Sequence, residues 1–279
     1  MLIIPAMKQL DAYLARIGYR GRLRPDLETL EALMRSHLHA VPFENLVVQL
    51  GRPIDIGPDS IFDKLVTRRR GGWCYEQNGL FGWALREIGF EVMRLSGGVM
   101  REQRGDAALG NHLCLMVRLD RSYLVDVGFG GSLSAPIVFE EAEHAHAPFR
   151  LRLFETGDGY WRFEETGDGA PFSFDVAARP ADEALLHRTC TFLQTDPASP
   201  FVQNLVVQQR SPDGRHATLR GRVLKELSEG GADKRLIETP EELVGVLRSR
   251  FGLDLPEAAS LWPAIAARHE TVFAAGAQS

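Results

Sequence analysis

One of the three cysteines, Cys74, stands in a stretch suited to nucleophilic chemistry: Arg70-Gly71-Gly72-Trp73-Cys74-Tyr75-Glu76-Gln77-Asn78. A helical pattern follows, with Leu80, Phe81, Ala84, Leu85 and Ile88 on one face and Gly89 closing it. Cys74 therefore falls in the first turn of a helix. Free backbone N–H groups there carry partial positive charge and favour thiolate over thiol. Two glycines without side chains leave the sulfur approachable, and a thiolate on a rigid helix suits covalent acyl chemistry. The alternative is a buried structural cysteine, the commoner fate of a lone thiol. The Gly-Gly approach and the polar Glu76 and Asn78 weigh against it.

A cysteine nucleophile needs a base in hydrogen-bond reach and a third group to orient that base. Of eight histidines, His37 and His39 read as helix surface. His144 and His146 form a His-x-His pair in a segment that reads as loop, and with no third ligand in view a metal site there has little support. His187, His216 and His269 lack chemical context. His112 differs, because it starts the strand pattern His112 to Leu119, which turns at Asp120-Arg121-Ser122 and returns through Tyr123-Leu124-Val125-Asp126. If Leu119 faces Tyr123, His112 and Asp126 point to one face, since strand side chains alternate with period two. In that register Asp126 lies opposite Met116, four residues or roughly 13 Å from His112. A bulge or strong twist has to close the gap. Gly128-Phe129-Gly130-Gly131 follows, either a plain turn or a backbone cradle for an anion or a closely approaching ligand. Cys114 shares the His112 face, as barrel core or pocket wall, and Cys190 reads as a bystander.

The elements that position these residues fall in three parts. The first is helical: Met7, Leu10, Tyr13, Leu14 and Ile17 mark one amphipathic face, and Leu27, Leu30, Leu33, Met34 and Leu38 a second. Pro42 stops helical continuation, and Ser60 suits the cap of a short helix through Val66. After Gly89 come strand-like segments near 91–100, 112–119, 123–127, 149–154 and 159–164. Two Thr-Gly-Asp-Gly sequences, at 156–159 and 166–169, read as hairpin turns, and the region as an antiparallel sheet or small barrel. The last part mixes strands at Leu205 to Gln209 and Ala217 to Leu224 with a helix opened by the capping box Thr239-Pro240-Glu241-Glu242. Leu261-Trp262-Pro263 begins a terminal helix, and the closing Ala-Gly-Ala-Gln-Ser tail reads as frayed. The expected class is α+β: 1–89 helical with the nucleophile, 90–200 an antiparallel sheet or small barrel with His112 and Asp126, and 201–279 mixed strand and helix.

Composition restricts the function. At 44% apolar and 25% charged residues the chain has material for a sizeable core. The net charge of −5 gives no nucleic-acid footprint, and Arg68-Arg69-Arg70 reads as a solvated helix end. No run is long enough to span a membrane, and Met1-Leu2-Ile3-Ile4 is too short for a signal peptide. Three widely spaced cysteines without C-x-x-C suit neither a disulfide framework nor a zinc knuckle and fit a reducing cytoplasm.

Taken together, these residues resemble the arylamine N-acetyltransferase family. The cysteine stretch matches that family's R-G-G-x-C-x-E-x-N at every fixed position, and Val41-Pro42-Phe43-Glu44-Asn45-Leu46 matches V-P-F-E-N-L. The His112 strand and Tyr123-Leu124-Val125-Asp126-Val127-Gly128-Phe129-Gly130 match the next two blocks. Thr191 to Phe201 resembles a fourth block, ending in S-P-F. The resemblance implies a helical domain, a β-barrel and an α/β lid around a papain-like or transglutaminase-like core. It implies a triad of Cys74, His112 and Asp126, with Phe43, Val99 and Phe129 around the acceptor. It implies ping-pong acetyl transfer from acetyl-coenzyme A, as co-substrate and without a metal, to an arylamine, arylhydroxylamine or arylhydrazine. Small molecules are then the partners of a monomer or homodimer. Glu44 and Arg70 either pair to fix the Gly-Gly loop or are solvated separately. The competing readings are a papain-like thiol amidohydrolase or amide synthase, and a non-catalytic acyl-coenzyme A-binding protein. Neither the physiological acceptor nor the residues holding the nucleotide can be read from the sequence.

Overall fold

The structure, a computed structural model, describes residues 6–276, and the side chains of residues 7–272. The apolar opening Met1-Leu2-Ile3-Ile4 and the end of the C-terminal tail lie outside the described residues. The amphipathic faces read from the sequence become the helices Ala6–Ile17 and Leu27–Ala40. They bury Tyr13, Ile17, Leu30, Leu33, Met34 and Leu38. Asp26 caps the second helix, its carboxylate accepting from Thr29 N at 2.9 Å. The short helix expected at Ser60 starts earlier. Pro58–Phe62 follows Gly57 and runs into a π-helical turn, Asp63–Thr67. Ser60 lies inside it and donates to Asp55 at 2.6 Å rather than capping. The next helix is Cys74–Ile88, stopped by Gly89 in the left-handed region at φ 107°, where glycine is favoured. Its Phe81 and Leu85 are fully buried, contributing about 1.5–3 kcal/mol each.

The strands in chain order are β1 (Phe43–Glu44), β2 (Glu91–Val99), β3 (Leu109–Arg118), β4 (Ser122–Val125), β5 (Ile137–Val138), β6 (Ala142–His146) and β7 (Phe149–Glu155). Then follow β8 (Trp161–Thr166), β9 (Phe172–Val176), β10 (Val206–Arg210), β11 (His216–Arg220), β12 (Val223–Ser228) and β13 (Gly231–Leu236). Eight of them form one antiparallel sheet, ordered β5-β4-β3-β2-β9-β8-β7-β6 and curled into a nearly closed barrel. Both Thr-Gly-Asp-Gly sequences turn hairpins, between β7 and β8 and between β8 and β9. The His144 and His146 pair, expected in a loop, stands on strand β6. The Ala-Glu-His-Ala-His composition of that strand has no strongly apolar face to announce it.

A second sheet, ordered β1-β10-β11-β12-β13, forms the lid with the helices Pro240–Phe251 and Trp262–Gly276. Thr239 caps the former, accepting from Glu242 N at 3.1 Å. The single strand expected at Ala217 to Leu224 is instead the hairpin β11–β12, turning at Gly221-Arg222. The helix Glu183–Thr195, capped by Asp182, packs on β3 and has no counterpart in the sequence expectation. One hydrophobic cluster runs through the opening helices, the Cys74–Ile88 helix and the barrel. A second fills the lid, and a third surrounds Cys74.

Candidate active site

The Gly-Gly loop is zipped to residues 42–44. Gly72 N donates to Pro42 O at 3.2 Å, and Glu44 N donates to Gly72 O at 3.1 Å. Arg70 Nη2 donates to Glu44 Oε1 at 2.7 Å, so the end of the arginine run is a buried ion pair and not a solvated helix end. Glu44 Oε2 accepts from Leu46 N at 2.7 Å. The glycines serve this packing more than open access: a side chain on Gly71 would meet the Pro42 carbonyl and Glu44. Glu76 reaches back to accept from Trp73 N at 3.2 Å and meets Lys64 Nζ through both oxygens at 2.8 Å. Burial raises the Glu76 pKa, and Lys64 opposes that rise.

These contacts fix the start of the Cys74–Ile88 helix, and Cys74 is 6% exposed at its first position. His112 Nε2 lies 2.6 Å from Asp126 Oδ2, and both residues are 2% exposed. The Cys74 sulfur lies near the same ring, close enough to favour its charged form. Burial lowers the His112 pKa, but the Asp126 carboxylate and the Cys74 sulfur together outweigh it, and the ring is pushed up to about 10. The charged form of the His112 ring is therefore favoured.

Two features close the gap left by the register expected from sequence. The β3–β4 ladder pairs Arg118 with Ser122 and Leu115 with Val125, so the turn is Leu119-Asp120-Arg121. That is a shift of two residues, which keeps every side chain on its face. Continued by one step, the ladder sets Asp126 opposite Cys114, only two residues from His112. In addition, β3 bulges where Gly97 pairs with His112 but Gly98 pairs with Leu109. A bulge bends its strand and increases its twist. Tyr75 of the Cys74–Ile88 helix pins that bulge by donating to Gly110 O at 2.7 Å.

Asn78 completes the arrangement, and the sequence reading assigned it no role. Its Nδ2 donates to Asp126 Oδ1 at 2.8 Å and to Leu113 O at 2.7 Å, and its Oδ1 accepts from Val127 N at 3.0 Å. Asp126 Oδ1 also accepts from Gly128 N at 2.8 Å. The signal was available in the spacing, because Asn78 stands four residues after Cys74 and so shares its helix face. A Cβ on Gly128 would sit 2.5 Å from Cys74 Cα, which explains glycine there. Lys64 gave no such signal, since its pairing with Glu76 depends on the π-helical turn.

The remaining residues singled out in the sequence gather around the same point. Phe129 lies edge-on to His112 at 5.1 Å between centroids and stacks on Phe172 at 5.2 Å. Val99 pairs with Phe174, whose ring lies 4.8 Å from His112. Phe43 packs with Trp73 and Cys74 and meets Phe201 at 6.1 Å. Cys114 is fully buried core. Cys190 packs in the cluster around Cys74, where burial pushes its pKa up to about 12.

Other histidines depart from expectation. His37 is fully buried, bonded to Tyr13 OH at 2.8 Å and to Gln77 Oε1 at 3.2 Å, and burial lowers its pKa to about 3. An alternation of apolar residues cannot distinguish such a buried polar partner from helix surface. His216 of the lid lies 2.5 Å from Gly130 O, and burial lowers it to about 4. Among the described residues no group of three or more His, Cys, Asp or Glu is placed to hold a metal, and no helix is long and apolar enough to cross a membrane.

The fold and site are those of an acyltransferase of papain-like fold. A family profile described as N-acetyltransferase matches residues 26–260. An arylamine N-acetyltransferase of Mycolicibacterium smegmatis is 40% identical over 262 residues, 90% of this chain and 94% of the relative. Human arylamine N-acetyltransferase 1 is 33% identical, covering 88% and 94%. The solved structure of Mycobacterium marinum arylamine N-acetyltransferase superposes with a TM-score of 0.84 at 34% identity, over 92% of this chain and 98% of that one. A structure of the same M. marinum enzyme in complex with CoA gives 0.82 at 33% identity, over 93% and 97%. The chain belongs to the arylamine N-acetyltransferase family and is a transferase.

Proposed function

We propose that the protein transfers an acetyl group from acetyl-coenzyme A to the nitrogen of an arylamine, arylhydroxylamine or arylhydrazine, through an acetyl-Cys74 intermediate. The observation that carries this reading is the His112 ring, bonded to Asp126 at 2.6 Å and drawn toward its charged form by the nearby Cys74 sulfur. His112 takes the Cys74 proton, and Asp126 steadies the imidazolium. The thiolate adds to the thioester carbonyl, and coenzyme A leaves as its thiol with the proton returned by His112. The amine then adds to the acetyl-cysteine carbonyl and gives its proton to His112, and Cys74 leaves. In this reading the Cys74 N–H, at a helix start, donates to the developing oxyanion. An amine of low basicity is unprotonated at neutral pH, so aromatic amines and hydrazines suit the second step.

In this reading residues 1–89 supply the nucleophile, 90–200 the histidine and aspartate, and 201–279 the cover. Phe43, Val99 and Phe129 line the acceptor side, and three free cysteines suit a cytoplasmic setting. The test is incubation with acetyl-coenzyme A alone, followed by peptide mass spectrometry and then an amine panel. A single acetyl group on Cys74, discharged by aromatic amines, is expected. An adduct found only on Cys114 or Cys190 overturns the assignment. Rapid consumption of acetyl-coenzyme A without amine supports the hydrolase reading instead.

A further inference from the structure

Resting on that acceptor reading, a second polar group lies beside the site. Glu165 stands on β8 two residues after Phe163, so its side chain shares the barrel-facing side of the strand with Phe163, whose ring packs against Phe129. Its ladder neighbour on β9 is Phe172, which is 41% exposed and stacks on Phe129 with ring planes 14° apart. Glu165 is thus tied to the same aromatic wall that faces His112. Its Oε2 is buried and has no hydrogen-bond partner among the described residues. Ser132, on the loop after Phe129 and 2% exposed, lies beside the carboxyl, where its hydroxyl holds the Glu165 pKa down. Lys225, the nearby cation, bonds Asp168 at 2.7 Å, and Glu165 Oε2 remains without a partner.

With Ser132 beside the carboxyl, the buried Glu165 Oε2 is still left without a partner, which is costly and calls for a hydrogen-bond donor. We propose that Glu165 and Ser132 form the polar end of the acceptor site and receive a hydrogen-bond-donating group that an aromatic acceptor carries away from its nucleophilic nitrogen. The ring lies against Phe129 and Phe172, and a hydroxyl, amine or amidinium at its far end donates to Glu165. The charge state suits this role. Burial raises the Glu165 pKa to about 7; Ser132 and Lys225 oppose the rise, and Asp126 adds to it. A donor that approaches the carboxylate favours its ionised form.

The experiment compares 4-aminophenol with 4-methoxyaniline, two acceptors of similar ring electronics that differ in the remote O–H. In the unsubstituted protein, kcat/KM is expected to favour 4-aminophenol about tenfold, the range of a hydrogen bond to a charged group. Glu165→Leu should bring the ratio to within about twofold of unity. If Glu165→Leu does not fold, Glu165→Gln and Ser132→Ala carry the test, and each is expected to at least halve the ratio. Thermal melts accompany every variant. A ratio equal to that of the unsubstituted protein in folded variants overturns the subsite and leaves the acetyltransferase reading standing. An unsubstituted protein that acetylates neither amine overturns both.

Discussion

Asp126 accepts three hydrogen bonds, from Asn78 Nδ2, Gly128 N and His112 Nε2, so its replacement by asparagine has a definite chemical meaning. The amide oxygen of the replacement would still accept from Asn78 and Gly128, leaving its N–H₂ facing His112 Nε2. His112 would then have to accept at Nε2 and carry its proton at Nδ1, toward the sulfur, where it cannot act as a base. Asp126→Asn is expected to slow Cys74 acetylation by roughly a thousandfold or more while the protein remains folded. Single-turnover release of coenzyme A measures this, and a folded variant with a near-normal rate removes Asp126 from the mechanism. At this scale the sequence was informative about residue type. Cys74, His112 and Asp126 stand out because their neighbours follow strand and helix periods. Asn78 carried only its helical spacing from Cys74, and Glu165 carried no signal, since what distinguishes them is hydrogen bonds made or left unmade across the fold.

The register of β3 and β4 shows what periodicity does and does not determine. Parity alone put His112 and Asp126 on one face, and that holds whether Leu119 or Val117 faces Tyr123. The distance between them depended on where a three-residue turn begins and on a bulge near Gly110, and neither is written in an apolar pattern. The helix start depends in turn on Lys64 and Glu76, 8% and 1% exposed, joined by two 2.8 Å contacts. Removing one partner leaves a buried charge uncompensated. Lys64→Met should cost about 3–5 kcal/mol, and adding Glu76→Gln should recover part of that loss. Urea unfolding of the two single variants and the double variant checks it. A coupling below about 0.5 kcal/mol would mean that the pair does not act as a unit.

Stability of the whole molecule should form a dome in pH. His37 is lowered to about 3, and His146 and His216 to about 4, all chiefly by burial. Their unfolded value is about 6.5. Each contributes stability that is full above about 6.5 and is lost as pH falls through its folded value. His112, raised to about 10, contributes stability that is full below about 6.5 and is lost as pH rises toward 10. Glu165, raised to about 7, works against the acid arm between about 4.5 and 7. Melting temperature followed from about pH 4 to 10 should therefore peak near neutrality. His37→Gln should flatten the acid arm, and His112→Gln the alkaline arm. An acid slope unchanged in His37→Gln would show that the buried ring does not govern that limb. None of this was legible beforehand, because helical spacing put His37 at the surface and gave His216 no context, whereas tertiary packing buried both.

The two ion pairs beneath the Gly-Gly loop, Glu44 with Arg70 and Lys64 with Glu76, have a consequence for ionic strength. Their side chains are 12% exposed or less. Dissolved ions screen charges through water, over a Debye length that shrinks from about 10 Å at 0.1 M to about 3 Å at 1 M. They have little access to pairs enclosed by protein. The exposed pair Arg118–Glu91 should weaken as salt rises, while the alignment of the Cys74 loop should not. Alkylation of Cys74 by iodoacetamide, an uncharged reagent, should accordingly keep its rate within about twofold between roughly 0.1 and 1 M potassium chloride at fixed pH. The loop that carries Cys74 is aligned by charges that the surrounding electrolyte hardly reaches.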